Sequence, residues 1–212
     1  MAQTGSRSSP LSSAVLRSHR DQLQALVDDG IPAEFLAGAL LGASARAGLA
    51  SRTPELVWSG PDVGGGTGRF TPSAVVDLLA GATSEVLLVG YAVHEEPRVS
   101  VAVQAAASRG VQITFLLERS RDNPGYRGPR APFASVEARR LCWPADQRPA
   151  GASLHAKLLV VDRRAALVGS ANITGAALDV NLECGVVLHG PDAARLHGHI
   201  DALFEEGHLQ QV

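Results

Sequence analysis

Leu154-His155-Ala156-Lys157-Leu158-Leu159-Val160-Val161-Asp162, followed after a short gap by Gly169-Ser170-Ala171-Asn172, is the stretch whose reading decides the fold. Ser153 to Val161 and Ala165 to Gly169 read as adjacent strands joined by the turn Asp162-Arg163-Arg164. Residues two apart on a strand share a face, so His155 and Lys157 are expected to project together while Leu154 and Ala156 face away. The second strand is expected to deliver Ser170 and Asn172 in the same way, with Gly169 letting the backbone come close to a ligand. A candidate nucleophile, a fixed cation and two neutral hydrogen-bond donors would then converge on one spot. An anionic tetrahedral phosphorus centre needs such a set.

Working outward, strands and helices alternate. Glu55 to Ser59 reads as a short strand, Val63 to Gly68 as a glycine-rich loop, and Thr71-Pro72 as the cap and first residue of a helix running to about Ala80. Glu85 to Ala92 and Val111 to Glu118 read as strands around a helix from about Val99 to Arg109. Residues 119–133 form a loop rich in Pro, Gly and Arg. Strands are expected at 134–141 and Leu182 to Leu188, and an amphipathic helix at Pro191 to Glu206 with Leu196, Ile200, Leu203 and Phe204 on one face. The expectation is an α/β sandwich with a central mixed sheet of about seven strands flanked by helices. Residues 1–10 read as a disordered tail, 11–53 as a helical N-terminal extension and 54–212 as the chemistry-bearing domain. In the extension Asp29-Gly30 separates two helices, Pro32 suits the first turn of the second, and Gly48 is a candidate stop.

Composition sets the compartment and excludes some chemistry. The 212 residues are 45% hydrophobic with a net charge of -2, enough for a real core and too apolar for a disordered chain. Two cysteines, Cys142 and Cys184, are too few and too far apart for a thiolate metal site, and read as buried or half-buried thiols in a reducing cytoplasm. The first ten residues lack the apolar core of a signal peptide, and the longest apolar run, Phe35 to Ala45, is too short to span a bilayer. Of nineteen basic residues, eighteen are arginine and one is Lys157. A lone lysine in a chain that otherwise uses arginine marks a place where a planar guanidinium does not fit. No cofactor and no metal is expected, since no carboxylate or Cys/His cluster suggests a two-metal site.

The spacing around His155 satisfies HxK(x)4D(x)6GSxN at every specified position. On these residues the sequence resembles the phospholipase D superfamily, which includes phospholipases, bacterial endonucleases, cardiolipin synthases and tyrosyl-DNA phosphodiesterases. The resemblance covers about residues 54–206. The chain length, the single motif, the Leu56-Val57-Trp58-Ser59-Gly60-Pro61 opening and the helical leader also resemble the phospholipase-D-like component of the DISARM anti-phage defence system.

The resemblance implies roles. His155 would attack phosphorus and form a phosphohistidine, and a second motif histidine would protonate the leaving oxygen and then activate water. One lysine allows one HxK, so the resemblance implies a homodimer with the His155 residues of two subunits facing each other. Lys157 would sit on a nonbridging oxygen, and Ser170 and Asn172 would donate to phosphate oxygens. Glu183, at the position of an acidic residue common in the family, would hydrogen-bond the histidine. Asp162 belongs to the signature as support at the strand end. His94 reads as a loop residue near the cleft, and His197 and His199, two apart on a helix, do not form a metal pair.

Substrate is open among three readings. A nuclease is favoured by seven arginines against three acids between Arg119 and Arg148, with Arg119, Arg121, Arg127 and Arg130 as backbone contacts and Tyr126, Phe133 and Trp143 nearby to stack bases. A phospholipase or phosphatidyl transferase would use the same chemistry but lacks a clear basic amphipathic anchor. The third reading is a weakly active nucleic-acid-binding module within a larger defence complex, docked through its helical leader.

Overall fold

The computed structural model describes residues 13–50, 53–61, 68–91, 96–129 and 132–212. The expected tail at 1–10, most of the glycine-rich loop, His94 and Arg130 lie outside them. The chain divides into two compact units, Met1–Ser51 and Arg52–Val212.

The first unit is a helical hairpin of α1, Ser13–Asp28, and α2, Ala33–Ala50. Gly30, at a φ of 88°, makes the left-handed turn between them. Pro32 precedes the second helix, its carbonyl accepting from Phe35 N (3.0 Å) and Leu36 N (3.2 Å). Gly48 does not stop α2, which runs on to Ala50.

The second unit is built on one mixed sheet. Its strands are β1 (Glu55–Ser59), β2 (Arg69–Phe70), β3 (Glu85–Gly90), β4 (Gln112–Leu117), β5 (Arg139–Cys142), β6 (Leu158–Val161), β7 (Ala165–Gly169), β8 (Glu183–His189) and β9 (Gln210–Gln211). They lie in the order β2-β1-β8-β7-β6-β3-β4-β5-β9. The two additional strands, β2 and β9, are two-residue edge pairings with no periodicity to read. The expected strand at 134–141 begins only at Arg139, because a turn and bend occupy 134–136 and residues 137–138 have no ladder partner.

Alternation along the strands feeds two cores. In β3, Val86 and Leu88 enter one core and Leu87 and Val89 the other, so the run Val-Leu-Leu-Val is buried on both faces. The first core is covered by α3 (Thr71–Ala80) and α4 (Pro97–Ser108) through Ala74, Val75, Leu79, Val99, Val103 and Ala106. A short α5, Gly175–Asp179, adds Leu178 on that side. The second is closed by α6, Pro191–Glu205, through Ala193, with Leu196, Ile200, Leu203 and Phe204 packed on it. Thr71 is the first residue of α3 rather than its cap, and its hydroxyl is buried.

Candidate active site

The end of the sheet where β3 and β7 finish and β6 and β8 begin gathers the motif. Leu158 pairs with Val89 on one side and Val168 on the other. The residues just beyond each strand end therefore arrive together: Tyr91 after β3, Lys157 before β6, Ser170 after β7. His155 and Lys157 precede the strand rather than lying in it, since residues 152–157 have no ladder partners. They still converge. Lys157 Nζ lies 2.9 Å from His155 Nδ1 and 3.1 Å from Nε2, and donates to His155 O at 2.8 Å. His155 is exposed and Lys157 half-buried. Burial pushes the Lys157 ammonium below its ordinary pKa, and the charge of Glu183 partly opposes that shift.

Ser170 and Glu183 form the second part of the cluster. The Ser170 hydroxyl donates to Glu183 Oε2, and Asn181 Nδ2 donates to Oε1 at 3.4 Å. Ser170 is also locked to β8 by its own N–H, 3.0 Å from Cys184 O. In this structure the Glu183 carboxylate is bonded to a serine and an asparagine. Asn172 is half-buried on the way to α5, its carbonyl accepting from Thr174 N at 2.9 Å.

Gly169 serves a close approach of strands. It faces Gly185 across the β7–β8 ladder, and a Cβ there would lie 2.9 Å from Cys184 O. A Cβ on Gly185 would meet Val168 O at 2.8 Å. Cys184 is exposed, against the expectation of two sheltered thiols, while Cys142 is buried.

Asp162 is absent from this cluster. It sits at the other end of β6, roughly 16 Å along the strand at ~3.3 Å per residue. There its carboxylate accepts from Thr83 N (2.9 Å), Thr83 Oγ1 (2.8 Å), Ser84 N (2.7 Å), Ser84 Oγ (2.8 Å) and Glu85 N (3.0 Å). Desolvation works against the charge, but these donors outweigh it and hold the carboxyl far below the usual range. Asp162 therefore fixes the β6–β7 turn to the start of β3. The turn places Asp162 and Arg163 both at a φ of 52°, with Arg164 N donating to Val161 O at 2.9 Å. Aspartate tolerates that backbone, and Arg163 is held in it by Glu85 and Asp201, each at 2.7 Å.

The arginine-rich segment is mostly committed internally. Arg119 pairs with Asp122 at 2.5 Å, Arg140 donates to Pro132 O (3.0 Å) and Phe133 O (2.6 Å), and Arg139 lies over Phe204 at 4.2 Å. Arg148 is buried against Glu118. Arg121 and Arg127 are exposed, although Arg127 also donates to Pro124 O at 2.6 Å. Tyr126 and Phe133 are buried and Trp143 lies under Arg148, so these aromatics are not a stacking surface. His197 is buried between Asp201 (3.1 Å) and Glu85 (3.4 Å).

Two features were missed from the sequence. Tyr91 stands against the motif, its ring 4.9 Å from the His155 ring and 5.9 Å from Lys157 Nζ. Glu118 follows the mostly apolar run Ile113-Thr114-Phe115-Leu116-Leu117 and is buried. A carboxylate ending such a run was the available signal. Burial alone would raise its pKa, but the Arg148 guanidinium and the N–H groups of Leu154 and Arg119 hold it below the ordinary carboxylate range.

Among the described residues, no group of three His, Cys, Asp or Glu could hold a metal ion, and no helix is long and apolar enough to cross a membrane.

Comparison with known proteins adds to this geometry. The DISARM protein DrmC of Bacillus paralicheniformis is 27% identical over 150 residues, which is 68% of this chain and 60% of that protein. The match thus spans about three fifths of that relative. The fold is similar to the phospholipase D family member Nuc from Salmonella typhimurium, with a TM-score of 0.54 at 19% identity over 76% of this chain and 97% of that one. It is also similar to NucT from Helicobacter pylori, with a TM-score of 0.50 at 14% identity over 63% and 86%. Phosphatidylserine synthase from Haemophilus influenzae Rd KW20 gives a TM-score of 0.57 at 14% identity over 75% and 40%. Residues 75–206 match the family described as cardiolipin synthase, PLD-like domain. That match covers more than half of the chain, and the protein belongs to the phospholipase-D-like domain family.

Proposed function

We propose that this protein is a metal-independent phosphodiesterase that cleaves a nucleic-acid backbone through a phosphohistidine on His155, as a homodimer in the cytoplasm. The observation that carries the proposal is the approach of the Lys157 ammonium to an exposed His155 imidazole at the open end of the sheet. A ring nitrogen of His155 attacks phosphorus, and the bond from phosphorus to the leaving oxygen breaks. The imidazole of His155 in the second copy gives that oxygen its proton, then takes one from the water that attacks the phosphohistidine. The water oxygen ends on phosphorus and both histidines are restored. Lys157, Ser170 and Asn172 bind the phosphoryl oxygens, and Glu183 orients Ser170.

The dimer is supported by apolar side chains left open beside the cluster. Val180 and Leu182 are 72% and 76% exposed immediately before Glu183. Trp58, opposite Cys184 in the β1–β8 ladder, is 46% exposed. A second copy facing this end would cover them. The similarity to DrmC supports a place in anti-phage defence alongside other defence proteins.

A lipid substrate is the alternative, and an apolar cavity lined by Val57, Val75, Leu159 and Leu178 does reach Lys157. Its volume of about 40 Å³ admits a water or two but not an acyl chain. Purified protein assayed with EDTA on single-stranded DNA, duplex DNA, RNA and a phosphatidyl ester tests the choice. Cleavage of a nucleic acid is expected, lost in His155→Ala. Cleavage of the lipid alone, or activity that needs added magnesium, overturns the proposal.

A further inference from the structure

His155 lies in a segment whose backbone the sheet holds only at its last residue, where Gly169 N donates to Lys157 O at 3.4 Å. Residues 152–157 precede β6, and the ladder begins only at Leu158. On the far side of the histidine, the Leu154 N–H is held instead by a side chain, Glu118 Oε2 at 2.9 Å. Glu118 also fixes its surroundings. Its own N–H donates to Gly90 O at 3.1 Å, the residue before Tyr91. Its carboxylate takes both arms of Arg148, Nη1 at 2.9 Å on Oε2 and Nη2 at 2.8 Å on Oε1, and accepts from Arg119 N at 3.1 Å. Arg148 in turn donates through Nε to Trp143 O at 2.8 Å. The side chains of Glu118 and Arg148 are 0% and 3% exposed.

We propose that Glu118, clamped by Arg148, is a positioning residue for His155: its carboxylate fixes the peptide of Leu154, and through it the point from which the imidazole reaches the phosphorus. This rests on His155 being the reacting group, as proposed above. A planar two-armed ion pair has one preferred orientation, so Oε2 is aimed and the Leu154 N–H is drawn to one place. The same residue places Tyr91 through Gly90, so both rings of the His155–Tyr91 pair start from one anchor. A neutral amide at this position keeps the shape, but it offers one acceptor where the carboxylate offers two and turns an N–H group toward Arg148.

The test compares wild type, His155→Ala and Glu118→Gln on bis(p-nitrophenyl) phosphate, which needs no polymer binding. Glu118→Gln is expected to lower kcat about 100-fold with KM little changed, the signature of a misplaced reacting group. A folded Glu118→Gln variant with wild-type kcat overturns the positioning role while leaving His155 as the reacting group. Full turnover by His155→Ala, or none by wild type, instead defeats the proposed activity. If Glu118→Gln does not fold, the double variant Glu118→Gln/Arg148→Gln removes both charges together and is expected to show the same loss of kcat. Amide hydrogen exchange at Leu154 in the wild type is independent of every variant. Strong protection is expected, and exchange at the rate of an open peptide overturns the clamp.

Discussion

Lys157 Nζ sits within 3.1 Å of both ring nitrogens of His155, and it also caps that residue's carbonyl. An ammonium has three hydrogens to give and no lone pair, so only the ring nitrogen that carries no proton can accept from it. A phosphate oxygen entering the site would take over the ammonium and leave the ring nitrogen free to attack. The lysine would thus both shelter the proposed nucleophile and recruit the group it attacks.

Replacing that ammonium by a larger cation should fail. In Lys157→Arg the charge remains, but the planar fork cannot occupy a point between the imidazole, the carbonyl and the Tyr91 face. Turnover of a small phosphodiester should fall by about 100-fold or more, with the melting temperature little changed. Near-normal turnover would show that position 157 requires charge alone.

The pH profile should carry the same lysine. Its pKa lies below the ordinary lysine value, so the charged form is lost earlier as the pH rises. The alkaline limb of kcat/KM is therefore expected below the ordinary lysine value of about 10.4. Glu183 is the charge opposing this shift, so Glu183→Gln should move the limb to still lower pH. A limb that stays in place in Glu183→Gln would remove Glu183 from the electrostatics of the site.

Substrate binding should depend on the arginines of the loop. Replacing Arg121, Arg127 and Arg130 by Ala should weaken DNA or RNA binding. The slope of log affinity against log salt should flatten by about one for each phosphate that the variant no longer neutralises. Dimerisation, read by light scattering, and turnover of the small phosphodiester should both survive. Wild-type nucleic-acid affinity in the triple variant would move the binding surface elsewhere.

Asp162 should matter to stability rather than turnover. Asp162→Asn is expected to cost about 2 kcal/mol near neutral pH, as hydrogen bonds to a charged acceptor are weakened. Because the folded carboxyl titrates below its unfolded value of about 3.9, its contribution is complete above that pH and is lost as the pH falls toward and through the folded value. Denaturant melts of the two proteins should therefore converge in acid. A gap that stays constant from about pH 7 to about pH 3 would mean that the carboxylate's charge contributes nothing.

What could be read in advance follows from how local each cause is. The spacing of His155, Lys157, Asp162 and Ser170 describes one hairpin, and a hairpin is fixed by residues close in the chain. The alternation Leu154-His155-Ala156-Lys157 reads the same whether or not an extended segment has ladder partners, so the late start of β6 was invisible. The arginine count failed for a different reason. Charge in sequence does not say which guanidinium meets a carboxylate or a carbonyl, and Arg148 finds Glu118 thirty residues away. Tyr91 was assigned to a strand that stops one residue before it, and the five residues of α5 are too few to show a helical period.

The antiparallel run β6–β7–β8 and the residues flanking its strands carry His155, Lys157, Ser170, Asn172 and Glu183, while the strands paired on either side of the run, β3 and β1, come earlier in the chain. Synthesis proceeds from the N-terminus, so the bracing strands leave the ribosome first and the motif emerges onto a partner already in place. A nascent chain would then acquire the motif only after the strands that brace it. For an enzyme proposed to cut nucleic acid, that order keeps the growing polypeptide harmless beside the very message and ribosomal RNA that are making it. Ribosome-stalled chains ending before residue 150 should accordingly show no phosphodiesterase activity, and activity in such chains would refute this view of its birth.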